Sequence, residues 1–473
     1  MQNSQNVDLQ DINRTVMVGI LITGAFVAIL NQTLLATALP HIMNDLQITA
    51  NKAQWLTSVF MLVNGVMIPI TAFLIGKFTT RRLFLTAMGM FAIGTLICGF
   101  SPNFSFLIAG RIIQAAGAGI MMPLLQTVFF IIFPVEKRGA AMGMFGLVIA
   151  FAPAIGPTLS GWIVGHFPWR TVFFVVLPIV LIDLVVAYFA LKNVTKLTYP
   201  KIDVVSIIVS TLGFGGILYG FSIAGELGWG NQAVIGSLVI GGISLIIFII
   251  RQLKLEQPIL EFRVFKYNMF ALTTGIGMVV FMSMIGAATI IPIYMQTMRD
   301  YTALESGLML LPGAIVMGLA SPITGRIFDR IGAKKLAITG LSIMTITSFL
   351  FTNLTTETSF GYLTTIYAFR MLGIAMVMMP VNTAGINQLP KRLIPHGTAM
   401  GNTMRQVSGA IGTALLVTVM TNAVLPSTEE LGQTAYIHGV NMAFMVSTAI
   451  AFVGVVLSFY VKRTYPPEET AEG

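Results

Sequence analysis

The sequence predicts an all-α polytopic membrane protein of fourteen spans, and three observations carry that expectation. The chain has 473 residues, of which 56% are hydrophobic and only 10% charged, against roughly 25% charged in an ordinary soluble domain. Its mean hydropathy is +0.86, and the apolar residues fall in long runs, each close to the about 20 residues that one helix needs to cross a bilayer. Its cations, finally, fall mostly on alternate connections between those runs. So few polar side chains cannot cover a globule of this size, which excludes a soluble enzyme. The single cysteine, Cys98, excludes an intrachain disulfide and any CxxC site, and His41, His166, His396 and His438 lack zinc-ligand spacing.

Apolar runs broken by Gly, Pro, Asn and charge place the spans in order. The first seven are 15–39, 55–74, 83–100, 104–133, 139–165, 171–191 and 204–224. The second seven are 233–250, 269–295, 306–327, 336–351, 361–388, 397–422 and 440–461. The first run is too long for a signal-peptide core, lacks a small-residue cleavage site and is followed by further spans. With the amino terminus inside, the inner loops and tails hold 21 of the 27 Lys and Arg. Lys52, Arg170 and Arg299 fall on the other side, and Arg111, Arg370 and Arg405 fall within spans. Short basic loops stay in the cytoplasm, so both termini are expected there. The net charge of +9 therefore reads as membrane orientation and not as a nucleic-acid footprint.

An internal repeat lies on this topology. Gly139-Ala140-Ala141-Met142-Gly143 recurs 258 residues later as Gly397-Thr398-Ala399-Met400-Gly401. Met121-Met122-Pro123 recurs 257 residues later as Met378-Met379-Pro380, and the loop beginning Ala72 has a counterpart beginning Gly325. Six spans fill about 180 residues, so the offset leaves room for two extra helices. The expected plan is a six-helix bundle over 1–200, two linker helices over 201–266 and a second, pseudo-symmetric six-helix bundle over 267–473. Parallel halves with a site at their interface near the midplane form a known transporter design.

Several motifs then resemble one family. Gly156-Pro157-Thr158-Leu159-Ser160-Gly161 on the fifth span is similar to the antiporter signature GPxxGG, with Ser160 in place of a glycine. Gly325 to Lys334 matches the loop signature GxxxDRxGxK/R, and Arg111-Ile112-Ile113-Gln114-Ala115 is close to RxxQG. Leu30 to Thr33, Ala38 to Pro40, Trp169-Arg170 and Arg405-Gln406 also fit. The chain thus resembles the major facilitator superfamily, in its fourteen-span drug:proton antiporter branch (EmrB/QacA-type). Within it the chain looks most like the LmrB-type lincomycin and multidrug exporters of Gram-positive bacteria. The resemblance implies a major facilitator fold, a bacterial plasma membrane location, and efflux of lipophilic or amphiphilic compounds by alternating access. It also implies coupling to protons, no cofactor beyond the proton gradient, and a monomer. There are two departures: Asn31 stands where the branch commonly has a proton-carrying Asp, and Gly76 stands where the first-half loop signature has its acid.

Charged groups inside spans are the candidates for coupling, because a mid-bilayer arginine costs about 3 kcal/mol or more unless paired or facing a wet cavity. Arg111 is expected to act as an electrostatic lever on a nearby carboxylate, or else to lock helices by bonding carbonyls. For Arg370 and Arg405 a structural pairing role is at least as well supported. Asp183 is the clear mid-membrane acid; it could carry a proton, be held by a buried arginine, or snorkel towards the cytoplasmic end. Glu226, at the outer end of the seventh span, could serve as an outer proton port or be a solvated helix end. Gly156, Pro157 and Gly161, with Pro153, make a bent helix able to pack against the other half and loosen again, or a passive kink. Gly325, Asp329, Arg330, Gly332 and Lys334 are expected to form a cytoplasmic latch, the acid capping the next helix and pairing with cations across the halves, or merely a surface pair.

Polar side chains among apolar spans point to a substrate cavity lined by Asn31, Gln32, Asn64, Gln126, Tyr294, Gln296, Asn382 and Asn387. The 29 methionines and 33 phenylalanines offer adaptable surface for promiscuous recognition, although most of them serve packing. Few embedded acids favour neutral or weakly charged lipophiles. The spans carry no HExxH or GxSxG, and the chain has no GxxxxGK[ST] loop, which argues against an intramembrane enzyme and an ATP-driven pump. A channel or sensor is a further alternative, and within transporters so is a dedicated exporter of one endogenous metabolite or antibiotic.

Overall fold

In the computed structural model of the chain the described residues are 13–426 and 432–462. Among them fourteen long helices follow one another. They are α1 (Arg14–Leu46), α2 (Ala50–Lys77), α3 (Thr80–Gly99), α4 (Phe104–Ile132), α5 (Arg138–His166), α6 (Thr171–Ala190) and α7 (Val204–Leu227). The remainder are α8 (Gln232–Lys254), α9 (Asn268–Ile293), α10 (Ala303–Ile331), α11 (Ala333–Leu350), α12 (Phe360–Ile386), α13 (Ile394–Asn422) and α14 (Gln433–Ser458). Thirteen of these are long and apolar enough to cross a membrane. The exception is α13, which spans 29 residues and carries His396, Asn402, Arg405 and Gln406. It packs among α9, α2, α7, α14 and α4, and that enclosure lets it be more polar than a lipid-facing helix.

Helix starts follow local chemistry. Asn13, Thr49, Thr79, Asn103, Asn231 and Ser359 each accept a hydrogen bond from a first-turn N–H of the helix they precede. Thr302 and Glu305 form a reciprocal capping box at α10. Several helices run past their expected ends: α1 continues through Pro40 to Leu46 instead of stopping at 39. A proline inside a membrane helix removes only one backbone bond, and neighbours tolerate the bend.

The first six helices pack on one another, chiefly α3 on α4, α2 on α4, α1 on α5 and α3 on α6; so do the last six, chiefly α10 on α12, α11 on α12, α9 on α13 and α11 on α14. Small residues set the closest approaches, as expected where lipid gives helices no hydrophobic drive to associate. A Cβ on Gly340 would lie 2.6 Å from the Gly373 carbonyl oxygen, and one on Gly373 2.7 Å from that of Gly340. Helices α7 and α8 form their own hairpin, closed by Gly216 against Gly241. The hairpin is not a free appendage. Helix α7 touches both α2 and α13, with Trp55 and Tyr219 rings 5.6 Å apart and Trp229 Nε1 donating to Thr418 Oγ1 at 2.7 Å. It thereby bridges the first six helices and the last six.

At the basic end of this hairpin Asp203 caps α7 through Ser206 N (3.3 Å) and accepts two bonds from Arg251, Nε at 2.8 Å and Nη2 at 3.0 Å. The Arg251 guanidinium, with Ser206 in support, lowers the Asp203 carboxyl to about 2. Because the folded value lies below the unfolded one, this clamp contributes fully above about pH 4 and is lost as pH falls towards 2. In detergent, the protection of the first-turn amides of α7, with exchange rates divided by the intrinsic rate at each pH, is therefore expected to fall between those values. Arg251→Gln should show the low protection already at neutral pH, and protection unchanged by acid in the unaltered protein would refute the clamp.

Candidate functional site

Helices α5 and α10 make the most extensive helix contact among the described residues, and their basic ends carry the repeat and the loop signature. Carbonyl and glycine meet directly there: a Cβ on Gly325 would strike the Gly139 carbonyl oxygen, and one on Gly139 would strike the Gly325 carbonyl oxygen and the Phe328 ring. One turn on, a Cβ on Gly143 would lie 2.5 Å from the Ser321 carbonyl oxygen. This approach brings Asp329 onto the first turn of α5. Its Oδ1 accepts the Gly139 N–H at 2.7 Å and its Oδ2 the Ala140 N–H at 2.9 Å, where unsatisfied donors and the helix dipole favour a negative charge.

Further bonds across the same seam lie at this end. Arg138 Nη1 donates to Asn387 Oδ1 at 2.8 Å, and Thr127 and Thr398 hydroxyls meet at 2.8 Å. Asn402 Nδ2 donates to Gln126 Oε1 at 3.0 Å, and Gln126 Nε2 returns a bond to Asn402 Oδ1 at 3.4 Å. All these groups sit in the basic-end halves of their helices. The seam is closed on the basic face.

The latch thus differs from its expected form. Asp329 caps the start of α5 in the first six helices, not the helix that follows it, and its partners are backbone amides, not cations. Arg330 and Lys334 are exposed, and neither belongs to the ion pairs among the described residues. Gly332 adopts a φ of 81°, which makes the tight turn between α10 and α11. The loop between α2 and α3 explains its missing acid. The Gly76 carbonyl accepts the Thr198 N–H at 2.9 Å and the Tyr199 N–H at 3.3 Å, and a Cβ on Gly76 would lie 2.8 Å from Thr198 Oγ1. The strap leading to α7 occupies the space an acid would need.

The fifth-span signature also packs differently from expectation. A Cβ on Gly156 would strike the Thr33 hydroxyl of α1, and Ser160 Oγ donates to the Leu34 carbonyl at 2.6 Å. Gly161 comes near Thr37 alone, and Pro157 is exposed. The signature therefore binds α5 to α1 within the first six helices, while Gly139 and Gly143 face the other half.

Arg111 is fully buried. It donates to Asn31 Oδ1 and Gln114 Oε1, both at 2.7 Å, and to the Leu56 carbonyl at 3.2 Å, and it lies 4.2 Å over the Phe60 ring. No carboxylate is among its partners, so in this conformation it locks α1, α2 and α4 together. Arg370 does the same in the last six helices, bonding the Ser283 hydroxyl (2.6 Å) and carbonyl (2.9 Å) on α9 and the Ser348 hydroxyl on α11. Asp183 is buried where α6 packs on α3 and α1, with Oδ2 unpartnered, and it belongs to none of the ion pairs among the described residues. The alternative of a bridge to a buried arginine is therefore not what the structure holds. Glu226 stands near the end of α7, and its side chain lies outside the described residues.

The expected cavity residues do not form one group. Asn31 belongs to the Arg111 lock, and Asn64 lies at the α2–α4 contact beside Gly119. Tyr294 is buried at the outer end of α9, its hydroxyl donating to the Thr355 carbonyl at 2.6 Å. Gln296 is exposed beside it, and Gln32 is half-buried. Asn387 and Gln126 serve the seam, whereas Asn382 borders a crevice with Arg405. Sequence reading passed over Asn402, Thr398, Thr127 and Arg138. The repeated Gly139–Gly143 and Gly397–Gly401 motifs were the available signal, because small residues four apart mark a close helix face.

The Major Facilitator Superfamily profile matches residues 21–413. The chain belongs to the major facilitator superfamily. It is a transporter and not an enzyme, a multi-pass helical membrane protein. It is 58% identical over 464 residues to the uncharacterized MFS-type transporter YcnB of Bacillus subtilis, covering 98% of each chain. It is 43% identical to the lincomycin resistance protein LmrB of Bacillus subtilis, covering 95% of each. Among solved structures it superposes on the human organic anion transporter MFSD10 with a TM-score of 0.67 at 12% identity, covering 94% of this chain and 99% of that one. This last likeness concerns the fold.

Proposed function

We propose that the protein exports lipophilic and amphiphilic small molecules in exchange for protons, its first six and last six helices alternately opening one cleft to either side of a bacterial plasma membrane. The observation that carries this reading is the glycine-to-glycine seam between α5 and α10, fastened by Asp329 on the start of α5. Its bonds are few and lie at one face, so the two groups of helices can part there without unfolding either. Efflux as the direction, and drug-like cargo, are supported by 43% identity to a protein named for lincomycin resistance. The basic face is cytoplasmic on this reading, with both termini there. The protein acts as a monomer and needs no cofactor beyond the proton gradient.

Asp183 is the group best suited to carry the proton, being a buried acid within α6 and outside the ion pairs among the described residues. The test is transport in proteoliposomes under an imposed pH gradient. Lincomycin movement is expected to follow the gradient in the unaltered protein and to lose that dependence in Asp183→Asn. Movement indifferent to the gradient would remove antiport, and full coupling in Asp183→Asn would remove that residue from the proton route.

A further inference from the structure

Four arginines are buried among the described residues; Arg138, at the start of α5, belongs to the seam, and the other three differ in surroundings. Arg111 and Arg370 are wholly enclosed among side chains of their own helix groups. Arg405, eleven residues into α13, instead borders a crevice lined by Phe270, Thr273, Thr274, Gly277, Asn382 and Gly401. The crevice has room for about one water-sized occupant in this conformation. Arg405 is only 8% exposed, yet it has no carboxylate partner among the described residues. None of the three helices around it, α9, α12 and α13, carries an acidic residue anywhere along its length.

Its guanidinium is held instead by two amide oxygens, Asn382 Oδ1 at 3.0 Å and Asn402 Oδ1 at 2.8 Å. Asn382 Nδ2, on the same amide, is buried without any hydrogen-bond partner. Thr273 contributes nothing free, since its hydroxyl donates to the Met269 and Phe270 carbonyls. The polar lining is thus a buried cation, an idle N–H donor and the Thr274 hydroxyl, walled by Phe270 and helix backbone. A buried charge is costly unless it is paired, and neutral amide oxygens meet the guanidinium's donors without meeting its charge. A carboxylate would accept from both the guanidinium and Asn382 Nδ2, with charge-assisted bonds about twice as strong as neutral ones.

We propose that this crevice is the head-group subsite for a carboxylate on an amphiphilic substrate, its apolar tail lying towards Phe270 and the cleft. The assignment rests on the efflux reading above and narrows it to cargo with an anionic head. It also links cargo to the seam, because Asn402 bonds both Arg405 and, across the seam, Gln126. The tight dimensions in this basic-face-closed conformation fit an empty site, with the two asparagines standing in for the anion.

The experiment is binding of tail-labelled fluorescent dodecanoate and its methyl ester to the purified full-length protein in neutral-lipid nanodiscs. The acid is expected to bind at least about tenfold more tightly than the ester. Arg405→Gln should collapse that ratio to about one. Asn382→Asp, which supplies an internal carboxylate to the guanidinium and keeps the charge satisfied, should collapse it equally in a protein expected to fold. An unchanged acid-to-ester ratio in Asn382→Asp, or no preference in the unaltered protein, would overturn the proposal. Phosphatidylglycerol displacing the probe as well as unlabelled dodecanoate does would reassign the anion to a lipid head and overturn the substrate assignment. Because binding is read without transport, failure here leaves the efflux reading standing, and failure of lincomycin export leaves this test intact.

Discussion

Asp329→Ala is expected to abolish most transport while leaving the protein folded and inserted. The carboxylate makes two charge-assisted bonds to the first-turn amides of α5, at 2.7 and 2.9 Å, and hydrogen bonds to charged groups contribute about 1.5–3 kcal/mol each. Both join the first six helices to the last six, and neither exists once the seam opens. Losing them shifts the closed-to-open balance by about 3 kcal/mol or more, roughly a hundredfold in population. Export should fall by at least about tenfold, since a carrier that cannot close one face cannot complete its cycle. The direct readout is labelling of Thr398→Cys, which lies on the seam opposite Thr127 at 2.8 Å, with a maleimide from the basic face; Cys98, the only native cysteine, is buried. Labelling should rise about tenfold or more when Asp329→Ala is added. Asp329→Asn, which keeps one acceptor but no charge, should fall between the two. Equal labelling in all three would show that the latch does not hold the seam.

Gly325→Val is expected to be at least as severe, for a steric reason. The position faces the Gly139 carbonyl directly, and its Cβ would also lie 2.8 Å from the Gly139 carbonyl carbon. Backbone on both sides cannot yield as a flexible side-chain tip can, so α5 and α10 must separate along the seam. Overpacking a well-fitted contact costs about 1–3 kcal/mol even when side chains can adjust. The separation also lifts Asp329 from its amides, so the two losses add. Export should drop to background with unchanged elution on size exclusion. The control is Gly236→Ala on α8, where nothing lies within 4 Å of the added carbon, and export should be unaffected. A Gly325→Val protein that exports at the normal rate would show that close approach at this seam is dispensable.

Helix number and type were legible because burial in lipid demands long apolar runs with internally satisfied backbones. The one helix that falls short on apolarity, α13, packs chiefly among five others, and its polar residues mark the seam and the Arg405 crevice. Motifs located the seam between the two groups of helices more reliably than they located partners. The loop signature placed Asp329 at a contact between halves, but a sequence cannot say that its ligands would be the N–H groups of Gly139 and Ala140. Any residue has those amides, and only the approach of α5 presents them. The same limit scattered the expected cavity. Asn31, Tyr294 and Asn387 are polar residues within apolar helices, and that pattern fits a lock, an anchor and a seam as well as a pore lining.

The order of elements by itself determined how many helices form, which face gathers the cations, and that the chain repeats itself at an offset near 258. Those properties depend on one residue's nature or on neighbours along the chain, where hydropathy, capping and charge act locally. Only the folded arrangement decided that Arg111 and Arg370 are locks, that Gly156 serves α1, and that Arg405 keeps its charge without a carboxylate partner beside a narrow crevice. Each of these turns on which side chains from distant helices arrive within hydrogen-bonding reach. That depends on crossing geometry set by small residues, not on the spacing of the residue itself.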